Sequence, residues 1–234
     1  MGRVISAELF KLKKNKAFWL IAIVMAAAMA AMTIGFPADG DFDSYLTSFG
    51  DMLPFFSIIV IVSLAQNDDN YGTLKNTVSS GASRFQIYFG KLIVTFIAVL
   101  ILFVIDGVVS AIGASMVVPV QVDVMVILKG ILFQLIVALN YTIVFYLIAS
   151  VITKGSFAIV ISYIIFMLDG LIFGTIGSYL HMTDLTNYTM SVISNAISNG
   201  AMSGGTIFHL AVLTGVIIVG AIVGALVFSK KDIK

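Results

Sequence analysis

Six long apolar stretches separated by short polar segments constrain this chain more than any other feature. They cover residues 17–36, 48–66, 92–118, 126–152, 157–180 and 207–228. The second is the shortest, and it reaches spanning length only by extending on both sides of its apolar heart at 52–64. A helix needs about 20 largely apolar residues to cross the hydrocarbon of a bilayer. Lipid offers no partner to an open backbone group, so such segments cross as helices. The expectation is an all-α integral membrane protein with six transmembrane helices, an N-terminal amphipathic interfacial helix, and short external helices before the last span. With 60% apolar and 11% charged residues, against about 25% charged in a soluble domain, the chain has too little polar surface to face water on all sides. No soluble domain fits between the stretches and no internal repeat is visible, so residues 1–234 read as a single transmembrane domain. The absence of cysteine excludes disulfides, thiol nucleophiles and thiolate-bound metals.

Lysine and arginine set the orientation. With the N-terminus placed in the cytoplasm, all but one of the 13 basic residues fall on the inner side. Arg3, Lys11, Lys13, Lys14 and Lys16 precede the first span. Lys75, Arg84 and Lys91 lie between the second and third, Lys154 follows the fourth, and Lys230, Lys231 and Lys234 follow the last. The exception, Lys129, sits about one turn inside the fourth span, where its long side chain can snorkel outward. The outer segments are acidic, with Asp39, Asp41, Asp43, Asp51, Asp123 and Asp184. Both termini are therefore expected to be cytoplasmic. Residues 1–16 read as an elbow helix lying at the interface: Ile5, Leu9 and Leu12 recur at helical spacing, and the lysines reach anionic headgroups of the membrane lipid. The full-length apolar run that follows, with no small-residue cleavage site, argues against a removable signal peptide. Topology accounts for the basic residues, and no nucleic-acid partner is expected.

Enzyme signatures are missing. No G-x-x-x-x-G-K-[ST] loop is present, so the chain has no nucleotide-binding motif of its own. His181 and His209 are not at metal-ligand spacing, and no metal site is expected. The informative polar segment is 67–91, which is too polar to enter lipid and too short for a domain. Gly72 and Gly81 bracket a run in which Thr73 caps a short helix carrying Leu74 and Val78 on one face. A second helical run from Ser83 leads into the third span. Such a knob under the membrane can dock into a groove on a soluble partner; the alternative is an ordinary polar loop.

Three features carry a resemblance to a known family. They are the amphipathic start AELFKLKKNKAFW, the block DDNYGTLKN from Asp68 to Asn76, and the pattern S-G-x-S-R-x-x-I-Y-x-x-K from Ser80 to Lys91. On these residues and the six-helix plan, the chain resembles the membrane subunit (permease) of ABC-2 type transporters, close to the bacterial branch for lantibiotic immunity and antimicrobial-peptide export. The resemblance implies a bacterial cell-membrane complex of two permease protomers, homodimeric or heterodimeric, and two cytoplasmic ABC ATPase subunits. ATP and Mg would bind in those partners, and this chain would hold no cofactor. It also implies that the loop after the second span contacts the ATPase, which marks Asp68, Asp69, Tyr71, Gly72, Thr73, Leu74, Lys75, Ser80, Gly81 and Arg84 as coupling residues. Relatives often carry Glu where Asp68 stands. Relatives also place re-entrant helices in the external segment 181–206, and bring the first and fifth spans together across the dimer axis.

Three polar residues fall inside the hydrocarbon: Asp106 in the third span, Asn140 in the fourth and Asp169 in the fifth. At about 1.5 Å per residue, each acid lies roughly 20 Å from the inner end of its span. A charge at that depth costs at least ~2.5–3.5 kcal/mol and must face protein or water. No intramembrane cation can pair with both, so they are protonated, or a cavity or substrate solvates them. Asp106, Ser110 and Gly113 share a helix face. These residues are the pathway candidates; hydrogen bonding to a tyrosine hydroxyl or to Asn140 is the structural alternative. Gly170, Gly174 and Gly177, and Gly220 with Gly224, mark packing seams, and Met25, Met29 and Met32 form a stripe.

Together these features describe the permease of an ATP-driven exporter for a hydrophobic or amphipathic substrate such as a bacteriocin or cytolytic peptide. A substrate-capture subunit of a vitamin or metal importer, or a stand-alone proton-coupled transporter using the buried acids, would share the same outline. The charge bias yields a direct test. A cysteine introduced at Ser79, in this otherwise Cys-free chain, is expected to react with an impermeant thiol reagent in inside-out vesicles only. Labelling from outside intact cells would invert the topology.

Overall fold

The structure is a computed structural model that describes residues 1–35, 52–70, 81, 83–119, 123–152, 154–180, 183–198 and 203–230. The elements are α1 (Gly2–Lys14), α2 (Lys16–Gly35), α3 (Leu53–Asn70), α4 (Arg84–Val117), α5 (Val124–Val151), α6 (Gly155–Tyr179), a 3-10 turn (Thr183–Tyr188), α7 (Met190–Ser198) and α8 (Gly204–Lys230). No strand occurs among the described residues. Five helices, α2, α4, α5, α6 and α8, are long and apolar enough to cross a membrane, and α3 is the shorter apolar one. This is the all-α membrane architecture expected.

Local chemistry sets the helix ends. Asn15 is extended, and its Oδ1 accepts from the backbone N–H of Ala17 and Phe18, which ends α1 and caps α2. Ser83 and Gln86 form a reciprocal capping box at the start of α4. That helix stops before Val118, whose neighbour Pro119 disfavours a helical backbone. Asp123 caps α5 by accepting from Met125 and Val126. Ser203 does so for α8, accepting from Thr206.

The long helix α4 is the hub. At 34 residues it is roughly 50 Å long at about 1.5 Å per residue, more than the ~30 Å of hydrocarbon, so its first turns stand in the polar zone. The third span therefore begins well before residue 92, and part of the 67–91 segment is helical: α3 runs on to Asn70 and α4 starts at Arg84. Helices α1, α2, α3, α5 and α8 all pack on α4. From α2, Phe18, Ala22, Met25, Met29 and Thr33 are buried, while Leu20, Ile23, Val24, Met32 and Ile34 face outward. The methionine stripe thus splits, two residues packed and Met32 exposed. The face α1 buries is centred on Val4, Glu8 and Leu12 rather than on Ile5, Leu9 and Leu12, because α1 rests against α4, where Val4 meets Gly90. Tyrosines join helices by donating to carbonyls: Tyr163 to Phe55 O at 2.9 Å and Tyr146 to Tyr88 O at 2.9 Å.

The glycine seams take definite partners. Gly220 and Gly224 of α8 lie against Leu147 of α5, whereas Gly170 and Gly174 of α6 face the external segment at Ser191 and Thr186. Gly113 of α4 is the tightest helix crossing with a rigid neighbour: a Cβ there would lie 2.9 Å from Thr33 Cγ2 and 3.0 Å from Thr33 Cβ. Gly113→Ala is expected to cost about 1–3 kcal/mol by overpacking, partly recovered by Thr33→Ala. Gly215→Ala, at a glycine with open space around it, is expected to be neutral. Thermal unfolding of the three variants in detergent decides whether this crossing holds α2 in place.

Candidate functional site

Two regions gather the polar side chains. At the end of the bundle where α5 and α8 finish, their last-turn carbonyls lack backbone donors, and side chains from neighbouring helices fill them. Arg84 Nη1 donates to Ser229 O of α8 at 2.8 Å. Gln66 Nε2 donates to Ala149 O at 2.9 Å and Ile152 O at 2.5 Å, binding α3 to the end of α5. Lys91 is 5% exposed, and its Nζ donates to Ala65 O of α3 at 3.3 Å. Gly155 lets the chain approach Gln66, since a Cβ there would meet Oε1 at 2.9 Å. Gly81, just upstream of the capping box, has φ of 88°, a left-handed turn that glycine adopts at little cost. Of the coupling residues named from sequence, Gly81 and Arg84 fall in this junction. Tyr71, Gly72, Thr73, Leu74, Lys75 and Ser80 lie outside the described residues, as do the side chains of Asp68 and Asp69.

At the other end of the bundle, α7 folds back against α5 and α6. Ser191 meets Asp169, about ten residues short of the end of α6, or roughly 15 Å at about 1.5 Å per residue. The short helix therefore folds back along α6 instead of continuing beyond its end. Asp169 accepts from Ser191 N–H at 3.1 Å, Ser191 Oγ–H at 2.8 Å and Tyr141 Oη–H at 3.4 Å. A carboxylate at the N-terminus of a helix is favoured by the macrodipole as well. Ser194 Oγ donates to Gln134 Oε1 at 2.9 Å, and Gln134 Nε2 returns a bond to Ser194 O at 3.3 Å. The packed face of α7 is Ile193, Ser194 and Ile197, with Val192 exposed. Beside α7 a cavity of about 570 Å³ opens, walled by Met52, Phe55, Phe166 and Met167, with Tyr141, Asp169 and Ser191 as its polar side.

The three intramembrane candidates are not brought together. Asp169 lines that cavity. Asn140 donates from Nδ2 to Thr214 Oγ1 at 2.9 Å, a bond between α5 and α8. Asp106 is fully buried on α4, with neither carboxyl oxygen, nor Ser110 Oγ one turn away, hydrogen-bonded among the described residues. Equal depth does not place the acids side by side, because α6 packs on α3 and α5 rather than along α4. Gln66 and Gln134 were missed from sequence. Each is an amide within or closing an apolar run, and that was the available signal. His209 stacks edge-on with Tyr188, ring centroids 4.4 Å apart, as a packed histidine. Among the described residues no cluster could hold a metal ion.

Residues 4–169 match the family described as ABC-2 family transporter protein. The chain belongs to that family. The match runs from the elbow helix to Asp169 and includes Gln66, Arg84, Lys91 and Ile152 of the junction, though not Ser229. This makes the chain a multi-pass membrane permease subunit of the ABC type. No curated protein matches it.

Asp169 anchors α7, and its replacement separates charge from hydrogen bonding. Asp169→Leu leaves the Ser191 donors without a partner and is expected to cost about 1–3 kcal/mol. Asp169→Asn still accepts and is expected to lose clearly less. Equal melting temperatures for the two variants in detergent would remove the anchoring role.

Proposed function

We propose that this permease works as the membrane-spanning half of an exporter, moving a hydrophobic or amphipathic substrate, a peptide of the bacteriocin or cytolytic kind, outward. The observation that carries this reading is the cavity beside α7, apolar on most sides and bearing one carboxylate, in a chain of the ABC-2 family. Met52, Met167, Phe55 and Phe166 offer adaptable apolar contact, and Asp169 offers a counter-charge to a cationic group. ATP and Mg belong to a separate cytoplasmic ABC ATPase, two copies per complex, and this chain performs no hydrolysis. The complex resides in a bacterial cell membrane with both termini of the permease inside. The second permease protomer covers α6 and the outer face of α2; only 11% of the spanning window of α6 is buried within one chain.

Coupling runs from the 71–80 segment into the inner junction. ATPase closure displaces that segment, and the turn at Gly81 and the capped start of α4 pass the displacement to the hub helix. Arg84 and Lys91 hand it on to α8 and α3. Co-purification with an ABC ATPase encoded beside it, and stimulation of that ATPase by candidate peptides, tests the whole. Crosslinks to the ATPase are expected from the 71–80 segment, and crosslinks solely from the Lys154 loop would sink the coupling scheme. Arg84→Ala is expected to lower transport with the membrane fold retained.

Asp106 belongs to this reading as well. A fold that keeps a buried carboxyl without a partner bears a stability cost, and such sites concentrate where function demands them. Asp106→Asn is expected to express and melt like the parent or better, yet to lose peptide-stimulated ATPase activity. Full activity in that variant would leave Asp106 as packing alone.

A further inference from the structure

The geometry points to a binding site for one anionic phospholipid headgroup in the notch between α1, α2 and α3. A cavity of about 570 Å³ lies there, lined by Phe10, Lys11, Lys14, Asn15, Lys16 and Ser63. Its size is within the range of small-ligand pockets, about 300–1,000 Å³. Three of its seven lining residues, Ala17 being the seventh, are cationic. Lys11 is held in place by Glu8, Nζ to Oε1 2.7 Å, and Lys14 by the ring of Phe10, 4.5 Å from its centroid. These lysines are thus positioned rather than waving in solvent.

Two features ask for an anion. Lys11 and Lys14 sit at the C-terminal end of α1, where a cation suits the helix dipole. Lys16 instead occupies the first turn of the 20-residue α2, whose own N-terminus is positive, so charge and dipole repel until an anion lies between them. Ser63 supplies a hydroxyl from α3; it is exposed and makes no hydrogen bond among the described residues.

Two others identify the anion as a lipid. Trp19 is 44% exposed beside the notch, and its indole N–H donates to Lys13 O at 3.1 Å, the placement of an aromatic at headgroup level. Phe10 is 59% exposed on the cavity rim, an apolar flank suited to the glycerol backbone and upper acyl chain and of no use to a soluble ion. The phosphate sits between Lys14 and Lys16, and the lipid joins α1, α2 and α3 where the chain bends at Asn15. Membrane lipid around an elbow helix is general; a single stoichiometric site in this notch is the new element, and it is independent of what the permease transports.

Native mass spectrometry of the full chain, titrated with phosphatidylglycerol or phosphatidylcholine, tests it. One phosphatidylglycerol is expected to bind about 30-fold more tightly than phosphatidylcholine, given roughly 1 kcal/mol for each of the two lysines that flank the phosphate. Lys14→Gln with Lys16→Gln is expected to abolish that preference. Ser63→Trp, which fills the notch with every charge intact, should do the same. Lys13→Gln with Lys154→Gln removes as much charge outside the cavity and is expected to preserve it. Equal losses from both lysine pairs, or no loss from Ser63→Trp, would replace the site by a diffuse field. Displacement of phosphatidylglycerol by millimolar inorganic phosphate would make it a soluble-anion site and overturn the lipid assignment. Unchanged melting temperatures in phosphatidylcholine confirm that each variant is folded.

Discussion

The last-turn carbonyls of α5 and α8 are the constraint around which this bundle is built. Lipid cannot satisfy them and the helix itself has run out of donors. Gln66 closes the end of α5 from α3, and Arg84 closes the end of α8 from α4. Each bond joins two helices that are distant in sequence, so satisfying the backbone and assembling the bundle are one event. Two of the long-range donors, Arg84 and Lys91, lie on α4: Arg84 brings positive charge to the carbonyl end of α8, where the helix dipole favours it, and Lys91 reaches Ala65 O within α3. The same residues that read from sequence as a positive-inside signal therefore have a second task within the protein.

That arrangement explains the hub. A helix that must reach past the hydrocarbon to bring Arg84 under α8 has to be long, and α4 is, with a capping box to keep its projecting end from fraying. Its buried flank carries Gly90 under Val4 and Gly113 under Thr33, small residues at the two crossings where α1 and α2 come closest. A rigid rod touching five other helices is a suitable receiver for motion applied at its inner end, and Gly81 lies where that motion would enter. The proposed coupling route thus uses contacts the fold already requires.

Much of this was legible in the sequence. Apolar length located the spans, Ser83 located the start of α4, and the basic amphipathic run located the elbow helix before the first span, because each depends on residues near one another in the chain. The buried face of α1 lies a fraction of a turn from the Ile5–Leu9–Leu12 stripe, because Glu8, bonded to Lys11, sits 6% exposed against α4. What could not be read were pairings between distant segments. Gln66 with the end of α5, Asp169 with Ser191, and the separation of Asp106 from Asp169 all depend on which helices are neighbours, and apolar patterning is silent on that when every face is apolar. Much of the coupling motif lies outside the described residues, so its role still rests on the resemblance and on the family.

Asp169 links the outer cavity to the position of α7. A carboxylate offers about four lone-pair sites, and four donors engage Asp169: the Gly170 N–H, the Ser191 N–H, the Ser191 hydroxyl and the Tyr141 hydroxyl. Under the export reading, a cationic group entering the cavity displaces one of these donors. Where that donor belongs to Ser191, substrate binding weakens the hold on α7. By linkage, a displaced α7 then binds the cation more tightly, by the same factor. A single carboxylate shared between an anchor and a binding surface is in this way sufficient to couple occupancy of the cavity to the helix that flanks it, with no second polar residue required. The isolation of Asp106 and Asn140 from the cavity agrees with so small a set of parts.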